Sequence, residues 1–491
     1  MSEMPLILLA LPVLTALLSL GAKNKKTLTQ ISLAGAGITA GLAFWIAYTV
    51  YHFGPVSAGG RFIYIDSLSA FVMSLVATVG LTAALYSVGY MGVEIAENAI
   101  PESRLKWYYF WFYIFLFTMF LVVMVGNLGV MWVGIEGTTL ASALLVGFYD
   151  KKSALEAAWK YIILCTVGII FALFGTIILY NAALPVIGEG SRSLDWFYLQ
   201  EAARGLDPKL VKLAFIFVLV GYGTKVGLAP MHTWLPDAHS QAPSPVSAML
   251  SGVLLNCALY GILRFHQITS HSLASAYSTR LLLIFGILSI AVALPFIIIQ
   301  HDLKRLLAYS SIEHMGIIVA AVGLGNRLAL YGAFLHMLNH ALAKPFLFFS
   351  AGNVTQHYHT KKIHKIKGAV SAMPISGTML LLGAFAIAGA PPFNIFLSEF
   401  TIISAGFASG QYLPTSLMLV LITLIFTGVI YAASRVSLGV PPARIERGEP
   451  SKWSATIAFI PVIPLFILGI YIPKSLDQVL QQVVSIFLGG K

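Results

Sequence analysis

Lys225 stands in an apolar run, GYGTKVGLAPMHTWLPDAHSQAPSPVSAML, that is long enough to cross a bilayer and is interrupted by Gly227 and Pro230. A lysine in hydrocarbon costs at least about 2.5–3.5 kcal/mol, so an ammonium beside a helix break points to an ion path rather than to a plain anchor. Proline removes a backbone hydrogen bond, and freed backbone groups at membrane depth are tolerated only against protein or a water-filled cavity. Glu136, in GVMWVGIEGTTLASALL, is a second such group, with no other charge between Lys106 and Asp150. A carboxylate and an ammonium in low dielectric can each be neutralised by burial and recharged by the other's approach, so their protonation is coupled. A static ion pair between Glu136 and Lys225 is the structural alternative.

A second set lies further along. His336, His340 and Lys344, in HMLNHALAK, recur at i, i+4 and i+8 and share one helix face. Imidazole is suited to passing protons along such a face. Two histidines at i, i+4 can also hold zinc, but the stretch lacks the glutamate of a metalloprotease helix and offers no third ligand, so no metal site is expected. His314 and Glu313 sit in AYSSIEHMG, and Glu399 follows GAPPF, where Pro391 and Pro392 break another apolar run. Lys160, Lys304, His232, Asp237 and His239 are candidates for a relay or an aqueous entrance, with capping, turn formation and structural pairing as their ordinary roles.

The elements that must position these groups are membrane helices. Of 491 residues, 58% are hydrophobic and 10% charged, and the mean hydropathy is +0.85, which excludes an ordinary soluble domain. Apolar segments of spanning length fall near 4–21, 28–52, 66–91, 107–126, 128–148, 157–181, 210–230, 243–265, 280–300, 304–323, 328–352, 375–406, 413–435 and 453–473, giving an all-α polytopic protein of about fourteen helices. The first segment has no basic n-region and is read as a retained span. Lysines and arginines concentrate on one set of loops, including Lys151, Lys152, Lys361, Lys362, Lys365 and Lys367. This bias explains the net charge of +11 without nucleic acid, and it predicts a plasma-membrane protein with both termini outside. Cys165 and Cys257 are too few for an iron–sulfur cluster. No motif for a nucleotide, flavin or quinone headgroup is present, so no active site of its own and no bound cofactor are expected.

Two spans interrupted by Gly and Pro, at Pro230 and at Pro391–Pro392, occupy matching places five helices apart. Such a pair marks an inverted-repeat transporter, helices 4–8 mirrored by 9–13, with a simple kink as the alternative for each break. One membrane unit, 1–491, then divides into helices 1–3 (1–106), the two repeats (107–266 and 278–435) and a last helix with its tail (436–491).

The stretches KVGLAPMHTWLPDAHSQAPSPVSAMLSGVLLN, HDLKRLLAYSSIEHMG and LNHALAKPFLFFSAGN resemble the antiporter-like subunits shared by respiratory complex I and the Mrp sodium/proton antiporters. WVGIEGTTLASALLVGFYDKKSALEAAWKYII and LLNCALYGILRF look most like the large antiporter-like subunit of group 4 membrane-bound [NiFe] hydrogenases, among them hydrogenase-4, formate hydrogenlyase and archaeal hydrogenase or sulfane reductase complexes. The resemblance implies translocation of H+ or Na+ driven by electron transfer in partner subunits that carry Fe–S clusters and a NiFe centre. It implies as partners further antiporter-like and Mrp-like subunits, a proximal membrane-arm subunit, a peripheral redox arm and membrane lipid. It matches Glu136 to the family's fifth-helix glutamate, Lys225 to its seventh-helix lysine and Glu399 to its twelfth-helix ionisable group. Asn256 stands where relatives carry an eighth-helix lysine, and no long lateral helix precedes the last residue, Lys491. The competing functions are a stand-alone Mrp-type antiporter subunit, a complex I pump subunit and, least supported, a membrane enzyme.

Overall fold

The computed structural model describes residues 3–272 and 275–488; the tail that ends at Lys491 lies outside them. The main helices are α1 (Met4–Gly21), α2 (Lys25–Phe53), α3 (Ser67–Ala96), α4 (Leu105–Met124), α5 (Leu128–Val146), α6 (Lys152–Ile187) and α7 (Pro208–Val226). They are followed by α8 (Ser244–His271), α9 (Ser275–Ile298), α10 (Leu303–Leu324), α11 (Arg327–His357), α12 (Ser376–Ile387), α13 (Asn394–Ala408), α14 (Tyr412–Ser437), α15 (Lys452–Ile470) and α16 (Lys474–Phe487). Among the described residues, 11 helices are long and apolar enough to cross a membrane. The expectation of an all-α chain needs one amendment: Val56–Ala58 and Ile63–Ile65 pair as a short antiparallel hairpin between α2 and α3.

Polar residues set the helix ends. Asn127 caps α5 by accepting from the amides of Gly129 and Val130, and Asp302 caps α10 by accepting from Arg305. α7 stops at Val226 because Gly227 takes the left-handed conformation, φ 82°, several residues before Pro230. A short helix, Leu235–Gln241, resumes beyond the break. A second break separates α12 from α13 around Gly389, Pro391 and Pro392.

Helices α8 and α10 are buried along their whole apolar windows, whereas α6, α9 and α14 bury less than half of theirs. The centre of the molecule is therefore α8 and α10, with α11 beside them, and the outer helices turn apolar faces outward as lipid contact requires. Within α8, Leu250–Leu254 forms a π turn, a rare distortion that frees backbone groups. Asn256 answers it: its Nδ2 donates to the Gly252 carbonyl at 2.8 Å.

Arg264 is fully buried in α8, its guanidinium donating to both oxygens of Asp66 at 2.5 and 2.8 Å and to Ser69 Oγ at 2.9 Å. Its plane lies 3.7 Å from the centre of the Trp196 ring. Asp66 also caps α3 by accepting from the Ser69 amide, so one carboxylate fastens α3 to α8. Arg264→Met leaves that carboxylate buried without a partner and is expected to cost about 3–5 kcal/mol, whereas adding Asp66→Asn should recover most of the loss. Thermal unfolding of the detergent-solubilised protein measures both.

Candidate functional site: a buried file of ionisable side chains

Lys225 reaches the centre because α7 ends one residue after it, and its Nζ is held by Thr139 Oγ1 of α5 at 2.8 Å and Tyr161 OH of α6 at 2.5 Å. It also lies 4.5 Å from the Tyr161 ring centre. Thr139 stands three residues after Glu136, on the same helix face. Glu136 itself accepts from Thr166 Oγ1 at 2.9 Å, while its second oxygen has no partner among the described residues. No ion pair joins Glu136 to Lys225 among the described residues, which removes the static-bridge alternative. Neutral hydroxyls, rather than a carboxylate, hold the Lys225 ammonium.

In the second half, Lys344 Nζ donates to the Leu307 carbonyl at 3.0 Å and to Ser310 Oγ, both on α10. His314 Nδ1 and His336 Nε2 are 2.9 Å apart, and His336 Nδ1 meets Ser398 Oγ at 2.9 Å, one residue before Glu399. The His340 ring lies 5.5 Å from that of His314, with both its nitrogens unpartnered among the described residues. Between the halves, Ser251 of the α8 π turn meets Ser311 of α10 at 2.7 Å. The file thus comprises half-buried Glu136 and buried Lys225 in the first half, and buried Lys344, the three histidines and Glu399 in the second.

Ligand atoms of His314, His336 and Glu399, from three different helices, lie within 4.8 Å of one another, while His340, the other member of the i, i+4 pair on α11, is not among them. Both nitrogens of His336 are already engaged, and coordination would break one of those bonds. As it stands, His314, His336 and Ser398 form a hydrogen-bonded chain.

Glu399 has one oxygen unpartnered among the described residues and the other against Gly389, at φ 80° in the break. A Cβ at Gly389 would overlap the carboxylate. Gly389→Ala is therefore expected to displace Glu399 and strain the turn, cutting ion uptake by about tenfold, roughly 1.4 kcal/mol, with assembly unchanged. Uptake per assembled complex in vesicles checks it.

Other expected residues separate from the file. Lys160, a candidate for a relay, an entrance or structural pairing, has a side chain that is 49% exposed and pairs with Asp237 at 3.1 Å and Glu156 at 3.5 Å. Asp237 also binds Arg305 at 2.7 Å, so it ties α6 to α10. His232 is buried in the break beside Phe296 and Tyr309. His239 is buried, its Nδ1 on the Leu235 carbonyl at 2.8 Å. Lys304, a candidate for the relay or entrance, is buried in the first turn of α10 and donates to the Ala242 carbonyl at 2.5 Å. Thr139, Tyr161, Ser310, Ser311, Ser251 and Ser398 were missed; only Thr139, by its spacing from Glu136, carried a sequence signal.

The family model described as NADH:quinone oxidoreductase/Mrp antiporter, TM matches residues 125–427, which contain every member of the file. The chain belongs to this family. A second model, described as NADH-ubiquinone oxidoreductase (complex I), chain 5 N-terminus, matches residues 62–97. Among relatives in this family, the hydrogenase-4 component F homolog of Methylacidiphilum infernorum is 42% identical over 85% of this chain and 87% of its own. NADH-quinone oxidoreductase subunit N of Desulforudis audaxviator is 30% identical over 83% of this chain and 80% of its own. A chain of the archaeal membrane-bound sulfane sulfur reductase superposes with a TM-score of 0.87 at 24% identity, covering 99% of this chain and 98% of that one. A chain of the Mrp complex from Dietzia sp. gives 0.85 at 18% identity, covering 99% and 97%. This member of the NADH:quinone oxidoreductase/Mrp antiporter family is an ion-translocating, antiporter-like subunit of a membrane complex.

Proposed function

We propose that the chain moves ions through the file Glu136–Lys225–Lys344–Glu399 as part of a hydrogenase-type redox complex, driven by electron transfer in partner subunits that carry Fe–S clusters and a NiFe centre. The observation that carries this is Lys225: an ammonium wholly inside the protein, held by neutral hydroxyls and paired with no carboxylate among the described residues. A structural lysine would be satisfied by a fixed counter-charge. A lysine left with hydroxyls can gain and lose its proton as neighbouring charges change. The hydrogenase assignment is supported by the 42% identity to a hydrogenase-4 component, against 30% to a complex I subunit.

Three further segments join the 11 apolar spans in this reading: α7 with the short helix Leu235–Gln241, α11, and α12 with α13. They bring the count to fourteen, and they are the three that carry Lys225, Lys344 and Glu399. α12 and α13 are apolar but short because the break divides them, and breaks and ionisable groups are what functional intramembrane elements carry. α4–α8 and α9–α14 then form the inverted repeats, with both termini outside the plasma membrane and the Lys361–Lys367 loop in the cytoplasm. Other antiporter-like and Mrp-like subunits, a proximal membrane-arm subunit and a peripheral redox arm complete the assembly. Ion uptake by inverted vesicles, driven by the complex's own electron donor, tests the reading: uptake should require Glu136 and Lys225, and full uptake without either would refute it.

A further inference from the structure

Around the second-half histidines, Nε2 of His314, both ring nitrogens of His340 and Oε1 of Glu399 are buried without a partner among the described residues. Hydrogen bonds fix how the neighbouring rings present their lone pairs. Ser398 Oγ donates to the Ile395 carbonyl at 2.9 Å, so it accepts from His336 Nδ1 at 2.9 Å. With Nδ1 protonated, neutral His336 has its lone pair on Nε2, which faces His314 Nδ1 at 2.9 Å. The other nitrogen of His314, Nε2, lies 3.9 Å from Glu313 Oε2. Each ring therefore has one nitrogen facing the other ring and one turned to an oxygen of its own. Histidines that hold a metal are arranged in this way, the outer N–H donating to an oxygen that fixes the ring.

The spacing suits an ion as well. Two nitrogens each about 2.0–2.1 Å from a tetrahedral zinc stand about 3.3–3.4 Å apart, so the rings need to part by only a few tenths of an ångström. Glu399 supplies the third donor, within 4.8 Å of the other two. The remaining position is open to water or to His340, whose ring centre is 5.5 Å from that of His314. Glu399 also lines a cavity of about 210 Å³ with Gly389, Phe396 and Phe400, and the exposure of Phe400 marks the way in. The charges of Glu399 and Glu313 together cancel those of a divalent ion, as burial requires.

We propose that His314, His336 and Glu399 bind a divalent d-block cation of the zinc class, and that the ion stops translocation by replacing the hydrogen bond between the two histidines. Imidazole nitrogens favour such ions over sodium, magnesium or calcium, which take oxygen ligands. The binding rests on this geometry alone, and the block rests on the file proposed above.

The full chain, purified in detergent through a tag that contains no histidine, is equilibrated with zinc alone, and the bound metal is measured and its X-ray absorption spectrum recorded. One zinc per chain with two imidazoles in its first shell is expected. Ser398→Ala keeps all three ligands but removes the oxygen that holds His336, and should weaken binding about 10–100-fold. Glu399→Gln removes a ligand and should weaken it at least as much. His357→Ala/His359→Ala/His364→Ala, which clears histidines at the end of α11 and in the loop beyond it, should bind as the wild type does. A first shell without two imidazoles, unchanged affinity in Ser398→Ala and Glu399→Gln, or zinc lost with the triple variant overturns the site. In inverted vesicles holding the full complex, zinc at concentrations that fill the site should lower proton uptake about tenfold or more, and a chelator should restore it, in wild type and triple variant alike. Full uptake with the site filled overturns the block. Undiminished uptake by Lys225→Ala overturns the file instead, whichever way the binding measurement falls.

Discussion

Vesicles carrying Lys225→Ala are expected to take up no ions when the electron donor is oxidised, although the complex assembles and electron transfer continues uncoupled. Alanine removes the titrating nitrogen without orphaning its partners: Tyr161 keeps its hydrogen bond to Ser142 at 2.7 Å, and Thr139 needs no charge to be satisfied. No buried carboxylate loses a counter-ion among the described residues, so the stability penalty of a broken ion pair does not arise. Glu136→Gln is expected to act alike. The amide can still accept from Thr166 at the position of Oε1 but has no proton to exchange at ordinary pH. Each loss should exceed about tenfold in uptake, more than about 1.4 kcal/mol of barrier. Native gel electrophoresis alongside the uptake assay separates this outcome from failure to assemble.

Lys344→Ala and Glu399→Gln are expected to approach the same loss. Lys344 is the ammonium next along the file, held as Lys225 is by neutral oxygens, those of Leu307 and Ser310. Glu399 follows Ser398, which meets His336, and its carboxylate lies within 4.8 Å of the His314 and His336 nitrogens. Removing Lys344 leaves the imidazoles without the charge whose changes they would answer. Glu399→Gln keeps the shape of the side chain in the Gly389 turn, so a loss of uptake there reports on the proton rather than on packing. Uptake by either variant, per assembled complex, gives the measure.

Much of this arrangement was legible in the sequence. Apolar runs placed the helices within a few residues of where they stand, because hydrocarbon thickness and backbone satisfaction leave little freedom. Charges inside those runs marked Glu136, Lys225, Lys344 and Glu399, since each is too costly to occur without a use. What could not be read was contact between distant helices. The Lys225–Thr139–Tyr161 and Lys344–Ser310 groups join residues with no pattern linking them along the chain. Nothing along the chain signals that Asp66 and Trp196 enclose Arg264, because the three are far apart in sequence. Lys160 looked intramembrane because its neighbours are apolar, yet Asp237 draws it outward. The hairpin at Val56–Ile65 was invisible because strands of 3 residues carry no usable alternation.

Asn256 decides whether ions follow the file or cross at α8. One of its amide hydrogens is committed to the Gly252 carbonyl, leaving the second hydrogen and the unpartnered Oδ1 but no group that titrates. It can orient water but cannot store a proton. The direct test is ion uptake, per electron transferred, by Asn256→Ala and Lys344→Ala complexes measured side by side in the same vesicle preparation. A route through Lys225 and Lys344 predicts that Asn256→Ala pumps with only a modest loss while Lys344→Ala does not pump. Normal pumping by Lys344→Ala beside an inactive Asn256→Ala would contradict it and place the crossing at α8.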